Sequence, residues 1–209
     1  MTALLFTLLL VLLFPLVVMG WRAMLLALSL QGLLMAWMVV QRGPVGPDAA
    51  LPLLDLMIVR GAVVPLMLQR VMRARALGGR EDVQAPNLFS LLVLAVLIAA
   101  AFRFASAIDP AGGESQVRLA VASAGVLLGL FLLATQAGVF VQVVGVLYME
   151  NAIALFEFDR AAGTLPLPIE LGLLLVFMMS ARIYVAYVER LSTFVATLPI
   201  DVRDEGPTV

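Results

Sequence analysis

The pattern of apolar and polar positions divides the chain into seven long apolar runs. They extend approximately from Leu4 to Met19, Met24 to Val40, Leu51 to Met72, Leu88 to Ala107, Leu119 to Thr135, Gly138 to Phe158 and Ile169 to Leu191. Between them stand charges, Gly and Pro, the residues that punctuate helices. A hydrocarbon core about 30 Å thick takes roughly 20 mostly apolar helical residues per crossing, and each run is of that order. The runs are continuous in Leu, Val and Ala and do not alternate as barrel strands do, which leaves the helix as the structure able to satisfy its backbone in lipid. The predicted fold is all-α, a polytopic transmembrane bundle of about seven helices. The first run has no basic residue ahead of its apolar core and no evident small-residue cleavage spacing near Gly20, so it reads as a span and not as a signal peptide. The turn at Thr135, Gln136 and Ala137 is short and uncharged, but the runs on either side are together too long for one crossing and predict a hairpin.

Composition agrees. With 63% hydrophobic residues, 13% charged residues and a mean hydropathy of +1.10, the chain lacks the polar surface to coat a water-soluble globule. A formal net charge of -1, from 13 basic and 14 acidic residues, argues against nucleic acid as a partner. The chain has no Cys and no His. Thiolate-held iron-sulfur clusters, imidazole-held haem and the usual zinc sites are therefore excluded, and no cofactor is expected. No phosphate loop, nucleophile elbow or lipidation signal is present, so the chain is not expected to be an enzyme by itself.

Orientation rests on arginine, since there is no lysine. Arg70, Arg73, Arg75 and Arg80 crowd the loop after the third run, which places that loop in the cytoplasm by the positive-inside rule. The N-terminus then lies outside, the Asp109 to Glu114 loop outside, and the tail with Arg203 inside. Arg42, in an external loop, is the exception. The expected location is the inner, cytoplasmic membrane of the cell, crossed several times.

Charges inside a span are expensive in lipid and mark candidate functional positions. Here they are Asp55 and Arg60 in the third run, Glu150 in the sixth, and Glu170 and Arg182 in the seventh. At 1.5 Å per residue, Glu150 and Arg60 each lie about 18 Å from the cytoplasmic ends of their runs and Arg182 about 14 Å, near the bilayer centre. Charges from separate helices thus meet one layer, where Glu150 could exchange a proton while Arg60 and Arg182 tune it or hold water around it. A buried pair that only fixes helix register is the plain alternative. Asp55 and Glu170 follow Pro52 and Pro168 near external helix ends, so both also read as first-turn acids favoured by the helix dipole. Glu157 shares a face with Glu150 and could extend a path outward, or pair with Arg160 at the surface. Gly125 and Gly129 form a small-xxx-small pair suited to close packing, and Pro65 should kink the third helix near Gly61.

The segment from Gln142 to Ile153, with Gly145, Tyr148, Glu150 and Asn151, is followed by Leu165-Pro-Leu-Pro168-Ile-Glu170-Leu-Gly172. Together they resemble the C-terminal half of the hydrogenase-4 component E family, which supplies a membrane subunit to formate hydrogenlyase-type and related group 4 membrane-bound hydrogenases. The stretch Arg60-Gly61-Ala-Val-Val-Pro65, with Arg70 and Arg73 behind it, looks like the same family, although Arg60 stands where relatives often carry lysine and cannot itself cycle a proton. The last three helices are similar to the small K-type subunit of respiratory complex I and its counterpart in multisubunit cation/proton antiporters. The resemblance implies that Glu150 is the buried carboxylate of a lateral proton path. It also implies partners: an antiporter-like subunit, other membrane subunits of a hetero-oligomeric complex, and the lipid bilayer. It divides the chain into a four-helix part (1–114), a three-helix K-type-like part (115–192) and a cytoplasmic tail (193–209). The expected role is a noncatalytic subunit of a membrane-bound hydrogenase or complex-I-like oxidoreductase. The alternatives are a purely structural anchor of such a complex, a subunit of a non-redox cation/proton antiporter or bicarbonate-uptake complex, and a free-standing carrier.

Overall fold

A computed structural model of the chain describes residues 1–18, 20–42, 46–74, 87–136, 138–160 and 166–197. Among these, every regular element is helical. They are α1 (Thr2–Val17), α2 (Trp21–Gln41), α3 (Pro47–Leu54), a π-helical segment (Asp55–Val63), α4 (Val64–Ala74), α5 (Leu88–Ile108), α6 (Glu114–Thr135), α7 (Val139–Arg160) and α8 (Leu167–Thr197). Six helices are long and apolar enough to cross a membrane, beginning at Trp21, Ala49, Leu88, Glu114, Val139 and Pro168. The chain is a multi-pass membrane protein. The first predicted run forms α1, which at 16 residues is shorter than these six. It packs on α2 and α6 through Leu5, Leu8 and Leu12, all buried. Arg75, Arg80 and the tail from position 198, Arg203 included, lie outside the described residues.

The boundaries follow local chemistry. Asn87 caps α5, its side chain accepting a bond from the Ser90 amide at 2.6 Å. The α6 helix starts at Glu114, five residues before the predicted apolar run, because Glu114 and Arg118 pair at 2.7 Å one turn apart and carry the helix out past its apolar part. The third span is one continuous helical stretch from α3 to α4 whose middle is wound as a π-helix. Pro65 lies two residues beyond that segment. It has no N–H to give to the Gly61 carbonyl and its ring crowds that carbonyl, so the α-pattern of bonding cannot hold there. Where a kink is expected, near Gly61, the structure has a π-helical stretch.

Lipid offers no hydrophobic drive between helices, so close approach depends on small residues. In α6 and α7 it comes from Gly125, Gly129 and Gly145. A side-chain carbon at Gly125 would stand 2.8 Å from Ala152 Cβ, and one at Gly129 would collide with Met149 and lie 2.6 Å from the Gly145 carbonyl. The predicted small-residue pair is the α6–α7 contact, and the two helices form the hairpin expected from their lengths. The α2 helix joins α7 and the third span, α5 packs on α6, and α8 touches α7 and the third span. The faces of α5 and α8 are the least buried among the six long helices, with Phe89, Leu92, Val176 and Ile183 turned outward onto the bilayer side.

Candidate functional site

The α2 helix meets the third span backbone to backbone. A side-chain carbon at Gly32 would lie 2.7 Å from both the Leu56 carbonyl oxygen and the Gly61 amide nitrogen, which excludes every residue but glycine unless the backbones separate. This approach sets Gln31 of α2, Arg60 of the π-helical segment and Asn151 of α7 into one layer, all buried.

Arg60 is the hub. Its Nε donates to Asp55 Oδ2 at 2.8 Å, and its Nη1 donates to Asn151 Oδ1 at 3.0 Å and to the backbone carbonyl of Glu150 at 3.3 Å. Its guanidinium carbon stands 3.8 Å from the ring centroid of Phe177 on α8, a cation–π contact. Asn151 Nδ2 in turn donates to Gln31 Oε1 at 3.1 Å. One arginine therefore ties together the third span, α7 and α8, and the asparagine extends the chain of bonds to α2. Arg60 and Asp55 are five residues apart and meet only because the segment between them is π-helical.

The same layer holds a set of open valences, two of them on members of the network. Glu150 Oε2, Asp55 Oδ1, Tyr148 Oη and Gln31 Nε2 are buried and have no hydrogen-bond partner among the described residues. Tyr148 is wholly buried and lies next to Gln31, yet neither the hydroxyl nor Nε2 completes a bond with the other. Glu150 is near enough to Arg60 and to Tyr184 of α8 to interact electrostatically, but among the described residues its carboxylate enters no ion pair. Arg60 binds its main chain, not its side chain. Buried polar atoms left open carry a free-energy penalty, and such positions gain most from a water molecule or a transferred proton. The open atoms of the layer belong to two carboxyl groups, Glu150 and Asp55, one hydroxyl, Tyr148, and one amide, Gln31.

The structure brings together Arg60 and Glu150, two of the three residues expected at one depth, and adds Asp55, which was expected near the external helix end. Asp55 is not a lone first-turn acid as its position after Pro52 suggested; it is the counter-ion of Arg60. Arg182 departs from expectation. Its depth matches, but it is exposed on α8 and forms no ion pair among the described residues, because depth along a helix says nothing about direction around it. Glu170 is half-buried in the first turn of α8, where the helix dipole favours an acid. Glu157 lies on α7, with its side chain and that of Arg160 outside the described residues.

Sequence reasoning overlooked Gln31, Asn151, Tyr148 and Phe177 as site residues. The available signal was neutral polarity. Gln31-Gly32 interrupts an otherwise apolar run, and Asn151 adjoins the central acid. A second polar group marks the other end of α2, where Arg42 is close to Arg118 and Glu114 of α6. Burial and the neighbouring Arg118 push the Arg42 guanidinium below its usual range, and Glu114 opposes them.

No protein-family model matches the chain, and no solved structure matches it. Among curated proteins, the uncharacterized protein Rv0085 of Mycobacterium tuberculosis is 32% identical over 155 residues, which span 72% of this chain and 70% of that protein.

Proposed function

This chain belongs to the family of the mycobacterial protein Rv0085, and we propose that it is a noncatalytic membrane subunit of a membrane-bound hydrogenase or complex-I-like oxidoreductase, akin to hydrogenase-4 component E. In this reading it crosses the inner membrane seven times, α1 included, with the N-terminus outside and the C-terminus in the cytoplasm. Residues 115–192 form the K-type-like part. Antiporter-like subunits lie beside it, and redox chemistry belongs to partners. Its contribution is a carboxyl group at Glu150 through which protons move laterally.

The observation that carries this reading is the contrast within one layer. Arg60 is held by Asp55, Asn151, the Glu150 carbonyl and the Phe177 ring, while Glu150 Oε2 stays open. A carboxyl group without a fixed counter-ion can change its proton occupancy without dismantling the helices around it. Glu150→Gln in the assembled complex tests this. Ion pumping should fall to background at normal assembly, and unimpaired pumping would overturn the relay.

The contacts of Arg60 with three helical segments also favour a second reading, a structural anchor in which the Asp55–Arg60 pair fixes helix register. Under it, Glu150→Gln is silent, while breaking the Asp55–Arg60 pair lowers assembly and neutralising both partners restores it.

A further inference from the structure

Away from the polar layer, a groove of about 500 Å³ opens between the first half of α2 and the third span. Its mouth holds Arg22 and Arg73, both exposed, with Trp21 and Gln69 beside them. The Arg22 guanidinium stands 5.2 Å from the Trp21 ring centroid. Because α2 and the third span are consecutive and antiparallel, the start of one and the end of the other meet at one membrane surface, and the two arginines share it. Below the mouth the lining is mostly apolar, with Gly61, Ala62 and Pro65 on the third span and Leu25, Leu26 and Ser29 on α2. From Arg73 down to Gly61 the groove follows the helix for about 18 Å, more than half the thickness of the hydrocarbon core.

We propose that this groove binds one anionic phospholipid, its phosphate between Arg22 and Arg73 and an acyl chain along Ala62 and Pro65. Charge complementarity selects the headgroup: two arginines face the mouth, and among the described residues none that lines the groove is acidic. A tryptophan at the mouth suits the headgroup level, where indole rings concentrate. The apolar lower half selects a lipid over a soluble phosphate, which would occupy the mouth and leave the rest unfilled. The floor includes Gly61, next to Arg60, so the lipid would lie against the segment that carries the hub of the polar layer. This inference does not depend on the role of Glu150.

The test is native mass spectrometry of the full chain, purified in neutral detergent, stripped of lipid and titrated with phosphatidylglycerol, phosphatidylcholine or glycerol phosphate. One phosphatidylglycerol should be retained in preference to phosphatidylcholine. Replacing both arginines, Arg22→Gln with Arg73→Gln, should weaken retention about 25-fold, at about fivefold per basic residue. Ala62→Leu, which fills the groove and leaves the charges intact, should weaken it as well and carries the test alone if the double variant does not fold. Equal retention of the two lipids, undiminished retention in both variants, or displacement of phosphatidylglycerol by an equal concentration of glycerol phosphate would each overturn the proposal, the last by assigning the mouth to a soluble anion.

Discussion

Asp55 and Arg60 form a salt bridge at 2.8 Å across a spacing of five residues within one helix. In an α-helix that spacing separates two side chains by about 140° around the axis. The bridge therefore depends on the π-helical winding of Asp55–Val63, and the winding is supported by Pro65 immediately downstream. A π-helical stretch inside a longer helix often accompanies a functional position, and here it turns an acid and a base that α-periodicity would separate onto one side.

Removing the acid alone should be costly. Asp55→Asn leaves Arg60 buried without its counter-ion, and the expected loss is about 3–5 kcal/mol. Asp55→Asn with Arg60→Gln should recover at least half of that, because no uncompensated charge remains. Thermal unfolding of the purified chain in detergent supplies the comparison, and a double variant as unstable as the single one would refute the pairing.

The crossing of α2 and the third span should tolerate nothing larger than glycine at position 32. Gly32→Ala drives a methyl group into two backbone atoms at 2.7 Å, and overpacking of this kind costs about 1–3 kcal/mol. Gly172→Ala is the control: its side chain would meet nothing within 4 Å, and alanine is the better helix former, so stability should hold or rise slightly. Equal behaviour of the two variants in the same unfolding assay would contradict the close approach.

Asn151 and Gln31 share a hydrogen bond but differ in what else they hold. Asn151→Leu removes the bond to Arg60 as well as the bond to Gln31 and leaves a charged donor unpaired, for an expected loss of about 2 kcal/mol. Gln31→Leu removes one interhelical bond, worth about 0.6 kcal/mol on average in membranes, and also an amide nitrogen that is already without a partner. The asparagine variant should be clearly the less stable, and the reverse ranking would show that the hub has been misplaced.

Orientation can be read chemically because the chain contains no cysteine. Ala111→Cys, in the turn between α5 and α6, should react with a membrane-impermeant maleimide on intact cells. Arg73→Cys, at the end of α4, should react only after the membrane is opened. The opposite pattern would invert the proposed topology.

Much of this architecture is legible in the sequence. The apolar runs correspond to helices to within a few residues over most of their lengths, since the bilayer demands length and apolarity and little else. Gly125 and Gly129 announced the α6–α7 contact because close packing in lipid has few chemical solutions. The polar layer was legible only in depth. Arg60 and Glu150 share a level and a neighbourhood, whereas Arg182 shares the level and faces outward, because azimuth depends on how neighbouring helices pack. The Asp55–Arg60 pair is not legible from spacing, because five residues bring two side chains together only where the helix is wound as a π-helix. Gln31 and Asn151 were passed over because neutral amides are ordinary one at a time, and their meaning comes from partners 120 residues apart in the chain.

The glycine at position 32 acts on more than the distance between two helices. The atoms it faces, the Leu56 oxygen and the Gly61 nitrogen, are the acceptor and donor positions of a single five-residue π-turn. The hydrogen on its α-carbon points at that peptide pair and can serve the oxygen as a second, weak donor. At this depth no solvent is available for such a task, so the neighbouring backbone solvates the turn. The wider winding that aims Arg60 is thus lined by a residue whose most useful atom is a hydrogen.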